Sequence, residues 1–207
     1  MAIDPFRMSG LSEREAENPD LRLHEIASWY RHITQDAPEI VGDVLNSLHE
    51  VIDGLKTIRL GIKSDQVREM EFVFERSPED HATLPYGAPQ SFGLRLDQLS
   101  EGQRCLVGLY LTLHAVARHG GTLVIDEPDN FIALREIQPW LNDVEDAIER
   151  SGLQCLIISH HPEFLNRLAA SGGGLFHRGA FEPTKIKALG TQEGMTPAEA
   201  MARGWEE

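Results

Sequence analysis

Two adjacent carboxylates, Asp126 and Glu127, follow an apolar run and are the residues whose types most clearly suggest chemistry. The run TLVI at residues 122–125 predicts a buried strand that ends in both carboxylates. Ligands of open α/β sheets bind at the carboxyl ends of the strands. There Asp126 could hold a divalent cation and Glu127 could activate a water molecule. The alternative is an acidic turn that caps the next helix.

A second candidate site lies upstream, in the run LSEGQR at residues 99–104. Its central residues are Ser100, Glu101, Gly102 and Gln103. They would begin a helix, whose free N–H groups and positive dipole end attract anions. The alternative is an ordinary capping box, because Ser100 at the N-cap and Gln103 three residues later match that pattern.

A third polar group follows the apolar run LII at residues 156–158. His160 and His161 come directly after Ser159, at a predicted strand end that would share the sheet edge with Asp126. An imidazole can bind a charged ligand or transfer a proton near physiological pH. Taken alone, a histidine at a strand end is more often a solvated or capping residue.

The elements that would position these residues alternate along the chain. Strands are predicted over residues 92–96, 122–125 and 154–158, and helices over residues 101–118 and 135–150. Strands that are separated by helices of this length pair in parallel, because parallel neighbours need a crossover connection. We therefore predict an α/β fold with a mostly parallel sheet and flanking helices.

The flanking segments have patterns of their own. Residues 1–55 predict a helical hairpin, whose first helix carries apolar residues from Leu23 onward and is capped by Asp20, and whose second helix begins at Pro38. The remaining predictions are strands from residue 57, a loop at 77–90, a glycine-rich turn at 171–174, strands at 174–177 and 184–189, and a final helix capped by Thr196.

Composition restricts the class of function. The 207 residues carry a formal net charge of −14, which argues against a surface built to neutralise nucleic-acid phosphates. Nucleic acid would be reached only locally or through a partner. Cys105 and Cys155 lie inside apolar runs, which favours free thiols in a reducing cytoplasm over a disulfide scaffold. Because no apolar run is long enough to span a bilayer, we expect a cytoplasmic protein without a membrane partner.

The three polar segments occur in an order that resembles one superfamily. Residues 99–104 resemble the ABC signature motif, residues 122–128 resemble a Walker B motif, and residues 156–162 resemble a switch-histidine segment. Each gap between them accommodates one helix. The chain thus resembles the C-terminal half of an ABC-type ATPase head, with the similarity strongest over residues 92–167. One departure is Glu101, which stands where the usual signature has glycine.

This resemblance implies a role for each candidate residue. It implies that Asp126 holds Mg²⁺ and that Glu127 is the general base. It also implies that His160, rather than His161, reaches the γ-phosphate and the attacking water. The signature residues 100–103 would close over the γ-phosphate of ATP held by an opposing head. The implied reaction is Mg²⁺-dependent ATP hydrolysis by a dimer of heads.

Within the superfamily, a narrower likeness is carried by the run DEPDNFIALREIQPW at residues 126–140 and the run SHHPE at residues 159–163. Both runs resemble the AAA_21-type predicted ATPases related to RecF and OLD proteins. By analogy between folds, this resemblance suggests DNA repair or anti-phage defence. Ala133 stands about where transporter subunits usually carry Asp, so the likeness to transporters is weaker.

The phosphate-binding P-loop pattern GxxxxGK[ST] is absent from the sequence. The nearest stretch, GIKS at residues 61–64, lacks the first glycine and the loop length. In the family, a nest of N–H groups and a lysine bind the β- and γ-phosphates. We therefore expect the isolated chain to bind ATP poorly, and to be completed by a P-loop-bearing N-terminal half or partner chain.

The domain prediction follows from the same resemblance. Residues 56–207 would be the C-terminal half of an ABC-type ATPase domain, and residues 1–55 the returning part of a helical insertion. Residues 1–8 could be an added leader or a native start. Three explanations for the missing P-loop stay open: a fragment of a larger ATPase, a natural split protein, or a degenerate head.

Two other classes of function compete with an ATPase. A non-catalytic interaction module would use the signature-like helix and the acidic strand end for assembly alone. A metal-dependent nuclease would use Asp126, Glu127 and Asp129, but the sequence lacks a catalytic lysine at suitable spacing and a basic groove for the substrate. The interaction module is therefore the main alternative.

Overall fold

The computed structural model of this chain describes residues 1–77, 85, 88–169, 172–188 and 196–202. The chain divides into two compact units, Met1–Ile157 and Ile158–Glu207. The first unit contains both the signature-like turn and the acidic strand end, and the second begins just before His160. The two units meet at residues 157 and 158, whereas the sequence predicted a domain boundary near residue 55. That predicted boundary stays a prediction.

An antiparallel sheet in the first unit is built around its third strand. Its strands are β1 (Leu11–Ser12), β2 (Leu55–Ile62), β3 (Arg68–Glu75) and β4 (Ser91–Arg95). β3 pairs with each of the other three. β3 is one of the strands predicted from residue 57, and its side chains Met70, Phe72 and Phe74 are buried. Its glutamates form ion pairs with basic residues of β2, such as Arg59 with Glu71 at 2.9 Å.

The predicted helical hairpin is present, although its first helix begins later than expected. The helices are α1 (Ile26–Asp36) and α2 (Pro38–Val51), and α2 begins at its proline as predicted. Asp20 does not cap α1, because its carboxylate accepts hydrogen bonds from the amides of Arg22 and Glu25 in the preceding turn. Leu23 has a φ of 58°, which no right-handed helix allows, so α1 cannot extend back to it.

Two long helices form the core together with α2. They are α3 (Glu101–Arg118) and α4 (Leu134–Ser151), and both lie within one residue of their predicted bounds. α2 packs against both helices, and α3 packs against α4. The largest fully buried side chains in these helices are Tyr110 and Trp140. This packing places the start of α3 and the loop before α4 in the same part of the unit.

The α/β fold class is confirmed, and its parallel part is a strand pair. β5 (Thr122–Asp126) and β6 (Gln154–Ile158) form a two-stranded parallel sheet. The prediction of a buried strand holds for one face of β5 only: Ile125 is 0% exposed, whereas Val124 is 41% exposed. Leu156 on β6 is 56% exposed. The reason is that α3 contacts β5 from one side, while no described residue of the first unit buries the opposite face.

The second unit consists of short elements. They are α5 (Pro162–Phe164), a π-helical turn (Leu165–Ala169), the antiparallel strands β7 (Gly174–His177) and β8 (Lys185–Ala188), and α6 (Pro197–Ala202). α6 is capped as predicted, because the Thr196 hydroxyl accepts a hydrogen bond from the Glu199 amide. Most of the predicted loop at 77–90 and part of the predicted turn at 171–174 lie outside the described residues. None of the helices in the described ranges is both long and apolar enough to cross a membrane.

Candidate functional site

Asp126 is the last residue of β5, and its side chain is exposed at the strand end. Its amide donates a 2.8 Å hydrogen bond to the Met1 carbonyl, and the Met1 nitrogen donates one of 2.7 Å to the Val124 carbonyl. Two such bonds are the pattern of a parallel strand pair. Met1 therefore pairs beside β5 and holds the backbone that carries the Asp126 carboxylate.

The loop after β5 is strained at two positions. Glu127 and Phe131 have φ angles of 48° and 71°, in the left-handed region. A non-glycine residue there costs about 1–3 kcal/mol, and such strain persists only where surrounding contacts maintain it. Turn hydrogen bonds support the loop, from the Asn130 amide to the Glu127 carbonyl and from the Ile132 amide to the Asp129 carbonyl. Strain of this kind is common at functional loops.

Ser100 and Gln103 form the capping box that the sequence pattern allows at the start of α3. Ser100 Oγ accepts a hydrogen bond from the Gln103 amide at 3.2 Å, and Gln103 Oε1 accepts one from the Ser100 amide at 3.0 Å. These bonds use the acceptor side of the hydroxyl, so its hydrogen can still be donated. The amides of Glu101 and Gly102 lie in the first helical turn, which has no preceding carbonyls to bind. Capping and anion binding are therefore compatible at this turn.

Gly102 joins the signature-like turn to the loop after β5. A Cβ atom at this position would lie 2.8 Å from the Phe131 carbonyl oxygen, which is closer than a carbon and an oxygen pack. The close approach of the Phe131 backbone therefore requires glycine at position 102. This requirement holds whether or not a ligand also approaches the turn. Sequence patterns did not reveal this contact, because neither segment specifies the backbone path of the other.

Arg104, which the sequence did not single out, lies beside the same turn. Its side chain is only 13% exposed, and Nη2 lies 3.6 Å from Glu101 Oε1. Nη1 donates a 2.7 Å hydrogen bond to the Pro5 carbonyl. The guanidinium partly offsets the charge of Glu101, which would otherwise repel a phosphate. The available signal was the three-residue spacing of Glu101 and Arg104, which places them on one helix face.

His160 and His161 stand at the start of the second unit in different surroundings. His161 caps α5, because its Nδ1 accepts a hydrogen bond from the Glu163 amide at 3.2 Å. Its ring also lies edge-on to Phe164, with 6.2 Å between ring centroids. His160 is exposed. The cap engages Nδ1 of His161, and the role predicted for His160 stays a prediction.

The two cysteines are free thiols with raised pKa values. Burial raises the pKa of Cys105 to about 12 and the pKa of Cys155 to about 11. Thiols with such pKa values stay protonated near neutral pH and are poor nucleophiles. Thiol catalysis is therefore not indicated at either position.

The donors at the end of β5 fit a magnesium ion that arrives together with phosphate. Mg²⁺ keeps several waters and usually takes one or two carboxylates plus substrate phosphates. Asp126 offers an exposed carboxylate, with Glu127 next to it. In the described part of the chain, no group of three or more His, Cys, Asp or Glu side chains could hold a metal ion by itself. The donor set therefore suits a shared site better than a metal cage.

A family model matches the segment that contains these residues. Its description is "AAA domain, putative AbiEii toxin, Type IV TA system", and it matches residues 86–166, which is under half of the chain. The matched residues include the signature-like turn, Asp126, Glu127 and His160. No curated protein matches the chain.

Solved structures match a larger share of the chain. One is described as the structural biochemistry of ATP-driven dimerization and DNA stimulated activation of SMC ATPases. It is 13% identical to this chain, with a TM-score of 0.54, and the match covers 85% of this chain and 94% of that one. At this identity the likeness shows the fold. The chain therefore has a P-loop NTPase-like fold similar to that of an SMC ATPase, and its residues 86–166 match the model of an AAA-type domain.

Proposed function

We propose that this chain is the C-terminal half of an ABC-type ATPase head, which hydrolyses ATP once a P-loop-bearing segment completes it. The contact between Gly102 and the Phe131 carbonyl oxygen carries this assignment. It joins the signature-like turn to the loop that begins at the Asp126 strand end, in a domain whose fold is similar to an SMC ATPase. A signature turn and an acidic strand end held together in this way are the parts that such a head needs from its C-terminal half.

The open face of the β5–β6 sheet supports the need for a completing segment. Val124 and Leu156 are 41% and 56% exposed on this face, whereas parallel sheets in α/β proteins are covered on both faces. A P-loop-bearing segment would supply both an apolar cover and the phosphate cradle. In this proposal residues 56–207 form the C-terminal half of the ATPase domain, and residues 1–55 are the returning part of a helical insertion.

The residues at the strand ends divide the chemistry between them. Asp126 would hold Mg²⁺, which offsets the charge of the phosphate oxygens when it is bound. Glu127 would accept a proton from the attacking water. Its left-handed backbone conformation sets the direction in which its side chain leaves the chain. His160 would donate a hydrogen bond to the γ-phosphate and orient the same water.

The signature-like turn would act on ATP held by an opposing head. The Ser100 hydroxyl and the first amides of α3 would donate hydrogen bonds to the γ-phosphate of that nucleotide. The solved relative concerns ATP-driven dimerization of SMC ATPases, which supports a dimer of heads here. Glu101 then needs the partly neutralising contact with Arg104, because its carboxylate stands beside the incoming charge.

Mg-ATP binding to the purified chain, measured by calorimetry, tests the half-site. We expect no saturable binding, because Asp126 alone cannot replace a phosphate cradle. Glu127→Gln would be measured alongside, so that hydrolysis cannot obscure weak binding. Tight binding to the chain alone would show that it contains a cradle of its own and would contradict the half-site.

Turnover by the completed head tests the general base. Glu127→Gln should abolish ATP hydrolysis and trap ATP-bound dimers, since the amide cannot accept the water proton. Dimerisation would be followed by size-exclusion chromatography with and without ATP. Normal turnover by Glu127→Gln would remove Glu127 from its assigned role.

The alternative is a non-catalytic interaction module with the same fold. It is favoured by the structural duties of two motif residues, because Ser100 caps α3 and Gly102 makes room for the Phe131 carbonyl. Ser100→Arg distinguishes the two functions. It should block the γ-phosphate site and stop ATP-dependent dimerisation in an ATPase, whereas a module that only assembles would retain its function.

The process that ATP hydrolysis would drive is proposed from resemblance alone. DNA repair and anti-phage defence are the two candidates, with nucleic acid reached through a partner and the protein in the cytoplasm. Adding a P-loop-bearing partner to the calorimetric and turnover experiments would separate a degenerate head, which stays inactive, from a fragment or a split protein, which both gain turnover.

A further inference from the structure

Residues 1–8, which we term the N-terminal arm, contact three parts of the candidate site. The first is β5, where Met1 exchanges backbone hydrogen bonds with Val124 and Asp126 at 2.7 and 2.8 Å. β5 is thus paired on one edge by β6 and approached on the other by the arm. The amide of Asp126 depends on the arm for its hydrogen-bond partner.

The second contact is with α3, the helix that begins at the signature-like turn. The Pro5 carbonyl accepts a 2.7 Å hydrogen bond from Arg104, one turn into the helix. Further along α3, a Cβ on Gly108 would lie 3.4 Å from Ile3 Cδ1 and 3.6 Å from Met8 Cε. The arm therefore packs closely along α3 in addition to its backbone pairing with β5.

The third contact is with the strained loop after β5. The rings of Phe6 and Phe131 lie edge to face, with centroids 5.5 Å apart and planes at 83°. Phe131 is the residue whose carbonyl oxygen approaches Gly102, and its φ is 71°. Both rings are more than half exposed, at 65% and 53%. The ring pair therefore adds little to burial of the core. It does hold Phe131, whose left-handed backbone needs support from surrounding contacts.

We propose that Phe6 is a positioning residue, which holds Phe131 against Gly102 and so fixes the signature-like turn relative to the Asp126 strand end. The backbone pairing of Met1 and the hydrogen bond from Arg104 to the Pro5 carbonyl anchor the arm just before Phe6. An edge-to-face pair stabilises its partners by enough to change a local opening equilibrium about 2- to 10-fold. The ring pair therefore offsets part of the cost of the strained backbone at Phe131, and the fold does not depend on it.

The consequence for activity rests on the proposed ATPase function. Asp126 would serve the nucleotide of its own head, while Ser100 would serve the nucleotide of the opposing head. The N-terminal arm would then link the two nucleotide sites of a dimer through a single head. Loss of Phe6 should loosen that link without removing a group that touches ATP.

Hydrogen exchange of the isolated chain, measured by mass spectrometry without nucleotide, tests the positioning role directly. Phe6→Ala should raise exchange about 2- to 10-fold in peptides that cover residues 100–104 and 126–131, with the unfolding midpoint nearly unchanged. Phe6→Tyr retains the ring and should restore wild-type exchange. Phe181→Ala removes an exposed aromatic residue from the second unit and serves as the matched control.

Three outcomes would overturn the proposal. Exchange could rise at 126–131 but not at 100–104, it could rise uniformly across the chain, or Phe6→Tyr could fail to restore it. Phe6→Ala and Phe131→Ala combined should raise exchange no further than either alone, because they remove the same contact. Since no nucleotide is involved, failure of the ATPase proposal would leave these results intact, and failure here would leave the calorimetric test intact.

Discussion

Ser100 can perform two tasks at once because a hydroxyl both donates and accepts hydrogen bonds. Its oxygen accepts the Gln103 amide hydrogen and so caps α3. Its own hydrogen is not used in that bond and could be donated to a phosphate. A capping box and a signature-like anion site would therefore use the same residues, which is why the sequence pattern alone left both interpretations open.

Two substitutions of Ser100 separate these tasks. Ser100→Ala should lower the free energy of unfolding by about 1 kcal/mol, because it removes the cap. Ser100→Asp retains a capping oxygen and should stay within a few tenths of a kcal/mol of wild type, but its charge would repel a phosphate. Urea denaturation measures the first effect, and ATP-dependent dimerisation of the completed head measures the second. If Ser100→Asp still dimerised with ATP, the anion-binding role would be excluded.

Gly102 and Gly42 provide a matched pair of helical glycines with opposite surroundings. An added Cβ on Gly102 would meet the Phe131 carbonyl at 2.8 Å, whereas one on Gly42 would meet nothing within 4 Å. Gly102→Ala should therefore destabilise the protein by about 1–3 kcal/mol through overpacking. Gly42→Ala should stabilise it by about 0.5–1 kcal/mol, because alanine is the better helix former. Chemical denaturation checks both signs, and a neutral Gly102→Ala would contradict the close contact.

At the scale of elements, one polar junction links α2, α3 and α4. The Ser47 hydroxyl donates a 2.6 Å hydrogen bond to Asp143 and lies 2.9 Å from His114 Nε2. Since its only hydrogen goes to Asp143, the oxygen must accept from Nε2–H of a neutral imidazole. The arrangement is not a nucleophile activated by a base, because the serine proton points to the carboxylate.

This junction predicts that stability depends on His114 as the pH falls. Burial is the main cause that lowers the pKa of His114 from 6.5, opposed by Asp143 and Asp43 and aided by Arg150. The unfolded chain therefore binds the proton at a higher pH than the folded chain does. The contribution of this junction to the free energy of unfolding is fully present above about pH 6.5 and is lost as the pH falls below that value. His114→Gln should flatten this loss, measured by urea denaturation between about pH 7 and 5. The exposed His119, substituted in the same way, controls for removal of a histidine.

At the scale of the whole molecule, the net charge argues against DNA binding, although the fold is similar to that of an SMC ATPase. The excess of 33 acidic over 19 basic side chains gives a net charge of −14, and the largest described antiparallel sheet uses several of its basic residues in ion pairs with glutamates. The acidic excess, together with these ion pairs, argues against a continuous basic surface that could follow a phosphate backbone. The solved relative concerns DNA-stimulated SMC ATPases, but that property does not follow from a shared fold.

The chain alone should not bind duplex DNA. Fluorescence anisotropy with a short labelled duplex should show no saturable binding up to about 100 µM protein at about 0.15 M salt, because counterion release is too small. Repeating the titration at lower salt distinguishes weak electrostatic contact from none. Tight binding that weakens steeply with salt would reveal a basic surface that the composition argues against.

The sequence alone determined the order of the signature-like turn, the acidic strand end and the histidine pair, the start of α2, and the bounds of α3 and α4 to within about a residue. It also lacks the pattern GxxxxGK[ST]. These features depend on residues that are close in the chain, because helical periodicity, proline at a helix start and a capping box act over a few positions. The start of α1 was wrong for a local reason as well, since the backbone of Leu23 takes a left-handed conformation that its residue type does not indicate.

Only the tertiary structure decided which parts of the candidate site touch. The contact of Gly102 with Phe131, the pairing of Met1 beside β5 and the open face at Val124 and Leu156 all join or expose residues far apart in the chain. Apolar runs predict strands but not how many neighbours cover them. The physical reason is that burial and close approach are properties of the packed chain, which no local pattern contains.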